Sequence, residues 1–388
     1  MTKASSISPL QLLLLTVGSA LMFPYTFMPV LNTYPYNQDV WAVLVVSLFY
    51  IVIFNLPLLF IMIKFRGLTI NEIFDTISGS AVGKALSIIY VLLFLMCYSA
   101  CLMVALQFVS ITLMPSTPMW ALLFVAIIPI TYIAIKGAGV IGRLATFIVP
   151  LILITIIVFA LAGIKMMEFD NLKPILADSS FLDINLGAMY TAARFSEISI
   201  FLVFSYFLRK DADIKKNYFL SVAVFAVFIL IMVLSTLLVL GYDIASICYN
   251  PYYIFTRQVQ LYESLEKVQA LNLFVWFPGT LLKLSIYCFM AAFVLNRMFK
   301  KVSRKKFAIG LSALVYIICS IKIINNTEFL QYIGSDRFFP YVIFAICFVI
   351  PLILVAIYFM RKKKINEKLT LALKKNNDEQ NSEASLPS

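Results

Sequence analysis

Three charged residues, Arg194, Glu197 and Lys283, lie deep within long apolar stretches of this sequence. A charge at the centre of a bilayer costs about 2.5 to 3.5 kcal/mol even on lenient insertion scales, so it normally faces a cavity or a partner. Glu197 can contact a ligand ammonium group or carry a proton, and Lys283 can serve as a fixed positive charge where some membrane folds hold a sodium ion. Alternatively, the three form a buried ion pair or triad that only locks their helices together.

The apolar stretches that carry these charges predict an all-α polytopic membrane protein. The chain is 62% hydrophobic and 13% charged, with a mean hydropathy of +0.96, which no soluble domain of this length could expose to water. Most stretches reach the roughly 20 residues that a bilayer core of about 30 Å requires. The predicted spans are 8–31, 40–63, 85–112, 119–135, 141–164, 184–207, 217–241, 271–296, 307–323 and 338–360.

Basic residues lie mainly on one side of these ten spans. If the N-terminus is inside, the inner segments hold 23 of the 31 Lys and Arg residues, and the outer loops hold six. The positive-inside rule therefore predicts that both termini face the cytoplasm or an equivalent compartment. The net charge of +12 then reflects loops and a tail that face anionic membrane lipid, and we predict no binding to nucleic acid.

Ten spans divide into two repeats of five, residues 8–164 and 184–360. Because five is odd, the repeats would enter the membrane from opposite sides, which is an inverted repeat whose first helices are broken around a ligand site at mid-bilayer. Small residues at 18–20 with Pro24 mark the expected break in span one, and the run 187–199 marks it in span six. Alternatively, these small residues merely let neighbouring helices pack closely.

These arguments predict a ligand site at the centre of the bundle. Tyr98, midway along span three, would supply a polar wall, although aromatic filling of the bundle explains it equally well. Trp41, Trp120 and Trp276 are placed like interfacial anchors. The predicted ligand-binding residues are Gly18, Ser19, Ala20, Tyr98, Arg194, Ser196, Glu197 and Lys283.

Nothing in the sequence predicts an enzyme, a metal or a cofactor. There is no histidine, and the six cysteines lack the spacing of a metal site or a disulfide framework. Phosphate-binding, dinucleotide-binding and nucleophile-elbow motifs do not occur. We therefore expect binding or transport rather than catalysis.

Three segments flank the spans. Thr69–Glu72 matches a capping box and Gly79 a helix stop, which predicts a short interfacial helix on the inner side. The amphipathic stretch 252–268 is expected on the outer surface. Beyond the transmembrane domain, 1–360, the tail 361–388 is expected to be disordered after a basic, lipid-facing start.

Several short motifs resemble the B subunits of the nutrient germinant receptors of bacterial spores, a branch of the amino acid, polyamine and organocation transporter superfamily. The resemblance covers nearly the whole chain up to the tail. The matching segments are Ser8-Pro-Leu-Gln11 leading into Gly18 and Pro24, Met114-Pro-Ser-Thr-Pro118, Lys136-Gly-Ala-Gly-Val-Ile-Gly-Arg143 before Pro150, Asn171-Leu-Lys-Pro174, and Glu197.

This resemblance implies a sensor in the spore inner membrane. An amino acid or other small nutrient would bind in the bundle centre. The chain would act with a larger A-type membrane subunit and a lipoprotein C-type subunit. Two alternatives stay open. One is a proton-coupled amino acid permease in which Glu197 carries the proton, and the other is a structural or channel-forming subunit without a ligand of its own.

Overall fold

The computed structural model describes residues 6–195, 199–209, 212–259, 269–321 and 338–384, and apart from one isolated bridge its regular structure is helical. Short 3₁₀ turns and a π turn join or interrupt the helices. The helices are α1 (Pro9–Thr26), α2 (Val40–Lys64), α3 (Ile70–Ser78), α4 (Ser80–Thr112), α5 (Met119–Lys136), α6 (Ala138–Ala162), α7 (Phe181–Arg194), α8 (Ser199–Phe204), α9 (Ile214–Ile247), α10 (Pro251–Gln258), α11 (Gln269–Met298), α12 (Arg304–Ser320), α13 (Phe339–Met360) and α14 (Lys362–Ala384).

Ten segments correspond to the ten predicted spans. Within the described residues, eight helices are long and apolar enough to cross a bilayer, namely α1, α2, α4, α5, α6, α9, α11 and α13. The helix α12 has 17 residues, and at a rise of 1.5 Å per residue it extends about 26 Å, close to the thickness of the hydrocarbon core. The remaining span comprises α7 and α8, on either side of residues 196–198.

The first span is interrupted further along the chain than the sequence predicts. The helix α1 continues through 18–20 and ends at Thr26, after which Phe27 and Met28 leave the helical conformation and a 3₁₀ turn begins at Pro29. The predicted break at 18–20 is therefore wrong in position. Pro24 lies inside α1, and one missing N–H group is not enough here to end the helix.

The start of α1 is tied to the end of the sixth span. We call this side of the bundle the N-side and the opposite side the far side. The amide of Ile7 donates to the carbonyl of Phe207 at 2.9 Å, and the amide of Arg209 donates to the carbonyl of Ile7 at 3.3 Å. Ile7 and Leu208 thereby form a parallel bridge, which we call the N-side bridge. Ser8 and Gln11 close a capping box directly after it.

The short helix α3 on the N-side confirms the predicted capping box. The amide of Thr69 donates to the Glu72 carboxylate at 2.7 Å, and the amide of Glu72 donates to the Thr69 hydroxyl at 3.4 Å. Gly79 ends the helix at φ 88°, a backbone conformation that glycine adopts without steric cost. Ile73 and Phe74 are buried, so α3 is fixed against α4.

The expectation of a disordered tail is wrong for residues 362–384, which form α14. Ile365 and Leu369 are buried, and the Tyr358 hydroxyl donates to the Asn366 side chain at 3.3 Å. Apolar residues four apart give this basic helix a stripe that packs on α3. Residues 385–388 lie outside the described residues.

On the far side, α10 is inserted into the bundle, whereas the sequence placed it on the surface. Tyr252, Phe255 and Thr256 are all buried, and the helix contacts α1, α9 and α11. The predicted surface position is wrong for this part of the stretch, because its apolar and aromatic residues face the other helices. Residues 260–268 lie outside the described residues.

Candidate ligand-binding site

The helices α1 and α11 lie at the centre of the bundle, since most of their surface is buried, whereas α5, α6 and α13 leave most of theirs uncovered. A small cavity of about 10 Å³, with room for about one water molecule, lies between α1, α4 and α11, and we call it the central cavity. Its described lining residues are Met22, Phe23, Thr26, Cys101, Val104, Thr280, Lys283 and Leu284.

Lys283 supplies a buried positive charge to the wall of the central cavity. Its side chain is 3% exposed, its Nζ donates to the Ser19 carbonyl at 2.9 Å, and the same nitrogen lies 5.3 Å from the centroid of the Phe23 ring. Carbonyl dipoles and aromatic faces both stabilise a desolvated ammonium group.

Among the described residues no group of three or more His, Cys, Asp or Glu side chains could hold a metal ion.

A second small cavity, also of about 10 Å³, lies next to the central one on the far side. From the central cavity to this one, the sequence numbers of the lining residues increase along α1 and α4 and decrease along α11. This is expected, because α1 and α4 run from the N-side to the far side and α11 runs in the opposite direction. We call this second cavity the far-side cavity. Its described lining residues are Tyr25, Thr26, Phe108, Asn250, Tyr253, Asn272, Leu273 and Trp276.

Thr26 lines both cavities. Together with Phe108, Asn250 and Trp276 it separates them, and we call these four residues the partition. The Thr26 hydroxyl donates to the Met22 carbonyl at 2.9 Å and accepts from Trp276 Nε1 at 2.8 Å. The Asn250 amide donates to the carbonyl of Thr26, the last residue of α1. The Trp276 ring packs edge-on against Phe108, with centroids 4.7 Å apart. The partition therefore joins α1, α4, α11 and the segment before α10.

The segment around α10 is held over the far-side cavity by side-chain hydrogen bonds. The Tyr249 hydroxyl donates to the Gln107 side chain on α4, and burial raises the pKa of Tyr249 to about 12. On α11, the Asn272 amide donates to the Thr256 hydroxyl at 2.7 Å. These contacts hold α10 and the segment before it against α4 and α11.

Sequence reasoning missed most residues of the partition, although α11 carried a signal. Asn272, Trp276, Thr280 and Lys283 are spaced i, i+4, i+8 and i+11, so they share one helix face. A polar stripe of this kind in an apolar span indicates a face turned towards a cavity. Trp276, predicted to be an interfacial anchor, is 3% exposed, so that prediction is wrong.

Of the predicted site residues, Ser19 and Lys283 are brought together, through the Ser19 carbonyl. Ala20 is buried in the same turn of α1. Gly18 is different, because a Cβ atom built on it would lie 2.4 Å from Cγ2 of Val149. Gly18 thus allows close packing between α1 and α6, and its predicted place in a helix break is wrong.

The other predicted residues divide into described and undescribed ones. Tyr98 is fully buried beside Cys288 and Ser312 and lines neither described cavity. Arg194 is buried at the last residue of α7, where its charge complements the negative end of the helix dipole. Ser196 and Glu197 lie outside the described residues.

The fold is that of ten-helix transporters with two inverted repeats and broken first and sixth helices. One solved structure of this kind is MhsT in complex with L-phenylalanine, with a TM-score of 0.60 at 14% identity over 90% of this chain and 98% of that chain. Another is Mhp1, a nucleobase-cation-symport-1 family transporter in a closed conformation with bromovinylhydantoin bound, with a TM-score of 0.56 at 11% identity over 93% and 96% of the two chains. The predicted fold class is thereby confirmed.

The chain belongs to the spore germination protein family of spore permeases, whose model matches residues 6–328. It is 23% identical over 299 residues to the putative spore germination protein YfkT of Bacillus subtilis (strain 168). The aligned region covers 76% of this chain and 80% of that protein. It is also 22% identical to the spore germination protein YndE of the same organism, over 68% of this chain and 72% of that protein. The resemblance found in the sequence motifs is confirmed.

Proposed function

We propose that this chain is the membrane subunit of a spore nutrient germinant receptor, which binds a small nutrient in the central cavity and triggers germination. The carrying observation is the buried Lys283 ammonium on the wall of a small cavity lined by α1, α4 and α11, which would have to widen to admit a nutrient. A buried charge that faces a cavity normally meets a ligand or a partner. An amino acid is the nutrient class with the strongest support, since MhsT of the same fold is in complex with L-phenylalanine.

The receptor would act in the spore inner membrane with an A-type membrane subunit and a lipoprotein C-type subunit. Both termini would face the cytoplasm or spore core. The exposed basic residues Arg361 to Lys364 at the start of α14 support this orientation. They would also contact anionic lipid headgroups.

A thermal-shift screen of the purified protein tests ligand binding. Amino acids, sugars and nucleosides are added one class at a time, and a true ligand should raise the melting temperature further as its concentration rises above the Kd. Binding at 100 times the Kd stabilises the native state by about 2.7 kcal/mol. The absence of any shift across all three classes would contradict a ligand-binding subunit and favour a structural or channel-forming one.

A proton-coupled amino acid permease is the second candidate, because Mhp1, of the same fold, is a transporter. The same cavity would then carry the amino acid, and Glu197 would carry the proton. Uptake of labelled amino acid into vesicles that contain this chain alone would favour the permease. Binding without uptake would favour the receptor.

Cysteine labelling tests the orientation. Ser179 lies in the far-side loop, where its hydroxyl donates to the Asp39 carboxylate at 2.6 Å. In a background without native cysteines, Ser179→Cys should react with a membrane-impermeant reagent from outside only, and Ser303→Cys on the N-side should react from inside only. Reaction of Ser179→Cys solely from inside would contradict both the orientation and the inverted repeat.

A further inference from the structure

The helix α14 runs across the N-side surface of the bundle. Near its start, the Asn366 side chain accepts a hydrogen bond from the Tyr358 hydroxyl of α13 at 3.3 Å. Further along, Leu373 lies beside the loop between α2 and α3, where a Cβ atom built on Gly67 would be 3.8 Å from its Cδ2. Both contacts are made at the N-side ends of spanning helices. Residues 362–373 of α14 therefore stay close to the membrane surface.

Lipid lies directly beside the start of α14. The last two residues of α13, Phe359 and Met360, are 58% and 76% exposed, and exposed apolar side chains at the end of a spanning helix face the acyl chains. The basic run 361–364 follows them without an intervening residue and is exposed. The headgroup layer is about 5–7 Å thick on each side of the hydrocarbon core. The basic run therefore lies within that layer.

The exposed side of α14 carries an excess of positive charge. Ile365 and Leu369 are buried against the bundle, whereas Glu367 is the one exposed acidic residue within 361–373. The end of α2 adds further charge, since Nζ of Lys64 lies 5.7 Å from the centroid of the Tyr358 ring. The basic side chains of this region form what we call the basic N-side surface, which comprises Lys64, Arg66, Arg361, Lys362, Lys363, Lys364 and Lys368.

These charges oppose the folding of α14. Among the residues that the structure describes, no carboxylate forms an ion pair with the basic N-side surface. Three of its lysines occupy the first turn of α14, which holds no acidic residue, although the dipole of a helix favours negative charge there. Like charges four residues apart, as in Lys364 and Lys368, also repel each other. A negative counter-charge would therefore stabilise α14 in its place.

We propose that anionic phospholipid headgroups bind the basic N-side surface and hold α14 against α3. Lipid is the occupant because the exposed Phe359 and Met360 place acyl chains, and thus headgroups, next to the basic run. The helix α3 connects this surface to the rest of the bundle, since it packs on α4 and its Asn71 amide donates to the Val294 carbonyl of α11 at 3.4 Å. The inference does not depend on the nutrient.

Hydrogen exchange of the full-length protein in lipid nanodiscs tests the proposal. The discs contain phosphatidylcholine alone, or phosphatidylcholine and phosphatidylglycerol in equal parts. The amide groups of residues 365–373 should exchange more slowly in the anionic discs. In Lys364→Gln/Lys368→Gln protein this slowing should shrink about fivefold for each lysine, which is the contribution of a basic side chain near an anionic surface. The control Lys300→Gln/Lys301→Gln removes the same charge from exposed N-side lysines between α11 and α12 and should leave the slowing unchanged.

The ratio of exchange rates between the two kinds of disc decides the outcome. Equal rates in the wild type would overturn the proposal, as would a ratio in the Lys364→Gln/Lys368→Gln protein as large as that of the wild type. If inorganic phosphate slows exchange in phosphatidylcholine discs as much as phosphatidylglycerol does, a free anion suffices and lipid is not the occupant. If only polyglutamate slows it, the occupant is an acidic protein segment and the proposal is overturned. A ratio that falls in the double variant and persists in the control supports the proposal. Because no nutrient is added, failure of the proposed function would not affect these results.

Discussion

The Lys283 ammonium and the Ser19 carbonyl are joined by a hydrogen bond of 2.9 Å. It links α11, in the second repeat, to the middle of α1, in the first. The N-terminal end of α1 follows directly from the N-side bridge at Ile7. A ligand that attracts the ammonium would therefore act on a helix that is fixed at its N-terminal end to the segment after α8. This arrangement offers a physical route from the central cavity to the N-side of the membrane.

The first prediction separates a functional from a structural role of Glu197. Glu197→Gln keeps the size of the side chain and deletes its charge. If Glu197 only neutralises Lys283 or Arg194, the single change should destabilise by about 3–5 kcal/mol, because it leaves a buried unpaired charge. Adding Lys283→Met should then restore abundance and melting temperature together. Melting temperature and germination rate are the measurements.

If Glu197 recognises the ligand or carries a proton, Glu197→Gln should be unresponsive even where its melting temperature matches that of the parent chain. The deciding result is therefore a loss of response without a loss of stability in the single variant, because Lys283→Met alters the wall of the central cavity and can abolish the response by itself. A double variant that responds to nutrient like the parent chain would rule out the functional role.

The second prediction concerns Gly18. Gly18→Ala should destabilise the protein by about 1–3 kcal/mol, because the new methyl group would lie 2.4 Å from Cγ2 of Val149 and force α1 away from α6. Gly310→Ala is the matched control, since nothing lies within 4 Å of its added Cβ. The control should be neutral or slightly stabilising. Equal melting temperatures for the two variants would contradict the packing role.

The ten spans and their order could be predicted because they depend on the composition and length of local stretches. The capping box at Thr69 could be predicted for the same reason, since its partners are three residues apart. The position of the break in the first span could not be, because Gly18 serves equally well as a helix breaker or as a close contact. Only the neighbouring Val149 decides between them.

The candidate site could be predicted only where chemistry made a residue unusual in its own helix. Lys283 is such a residue, because a charge is rare in an apolar span. Thr26 is a common residue in such a helix, and its place between two cavities depends on Trp276 and Asn250, both more than 220 residues away in the chain. The apolar stripe of α14 is hard to predict from the sequence, because the basic and polar composition of the tail is typical of a disordered segment and only the spacing of Ile365 and Leu369 indicates a helix.

The third prediction tests the partition. Trp276→Phe removes the Nε1–H donor to the Thr26 hydroxyl. The loss of this hydrogen bond should lower the free energy of unfolding by about 1 kcal/mol. With this link between α1 and α11 lost, nutrient should associate and dissociate faster, while the Kd changes less than either rate. Trp120→Phe, on an indole that is 61% exposed, should change neither rate. Stopped-flow binding measures both, and unchanged rates in Trp276→Phe would show that the partition does not control access.

The fourth prediction tests whether the N-side bridge separates during signalling. Ile7→Cys and Leu208→Cys are introduced together in a background without native cysteines. Neighbouring strands lie about 4.8 Å apart, which is within the Cα separation that a disulfide allows, so mild oxidation without nutrient should link the two residues. Each single variant is a control for nonspecific linkage.

Saturating nutrient should lower the rate of this cross-linking if α1 moves away from the segment after α8. Protein that is already cross-linked should still bind nutrient, because the central cavity lies far along α1 from Ile7, at Met22 to Thr26. It should nevertheless fail to trigger germination until the disulfide is reduced. Cross-linked protein that germinates at the normal rate would show that the bridge stays closed during signalling, and the route from the cavity to the N-side would then have to follow another helix.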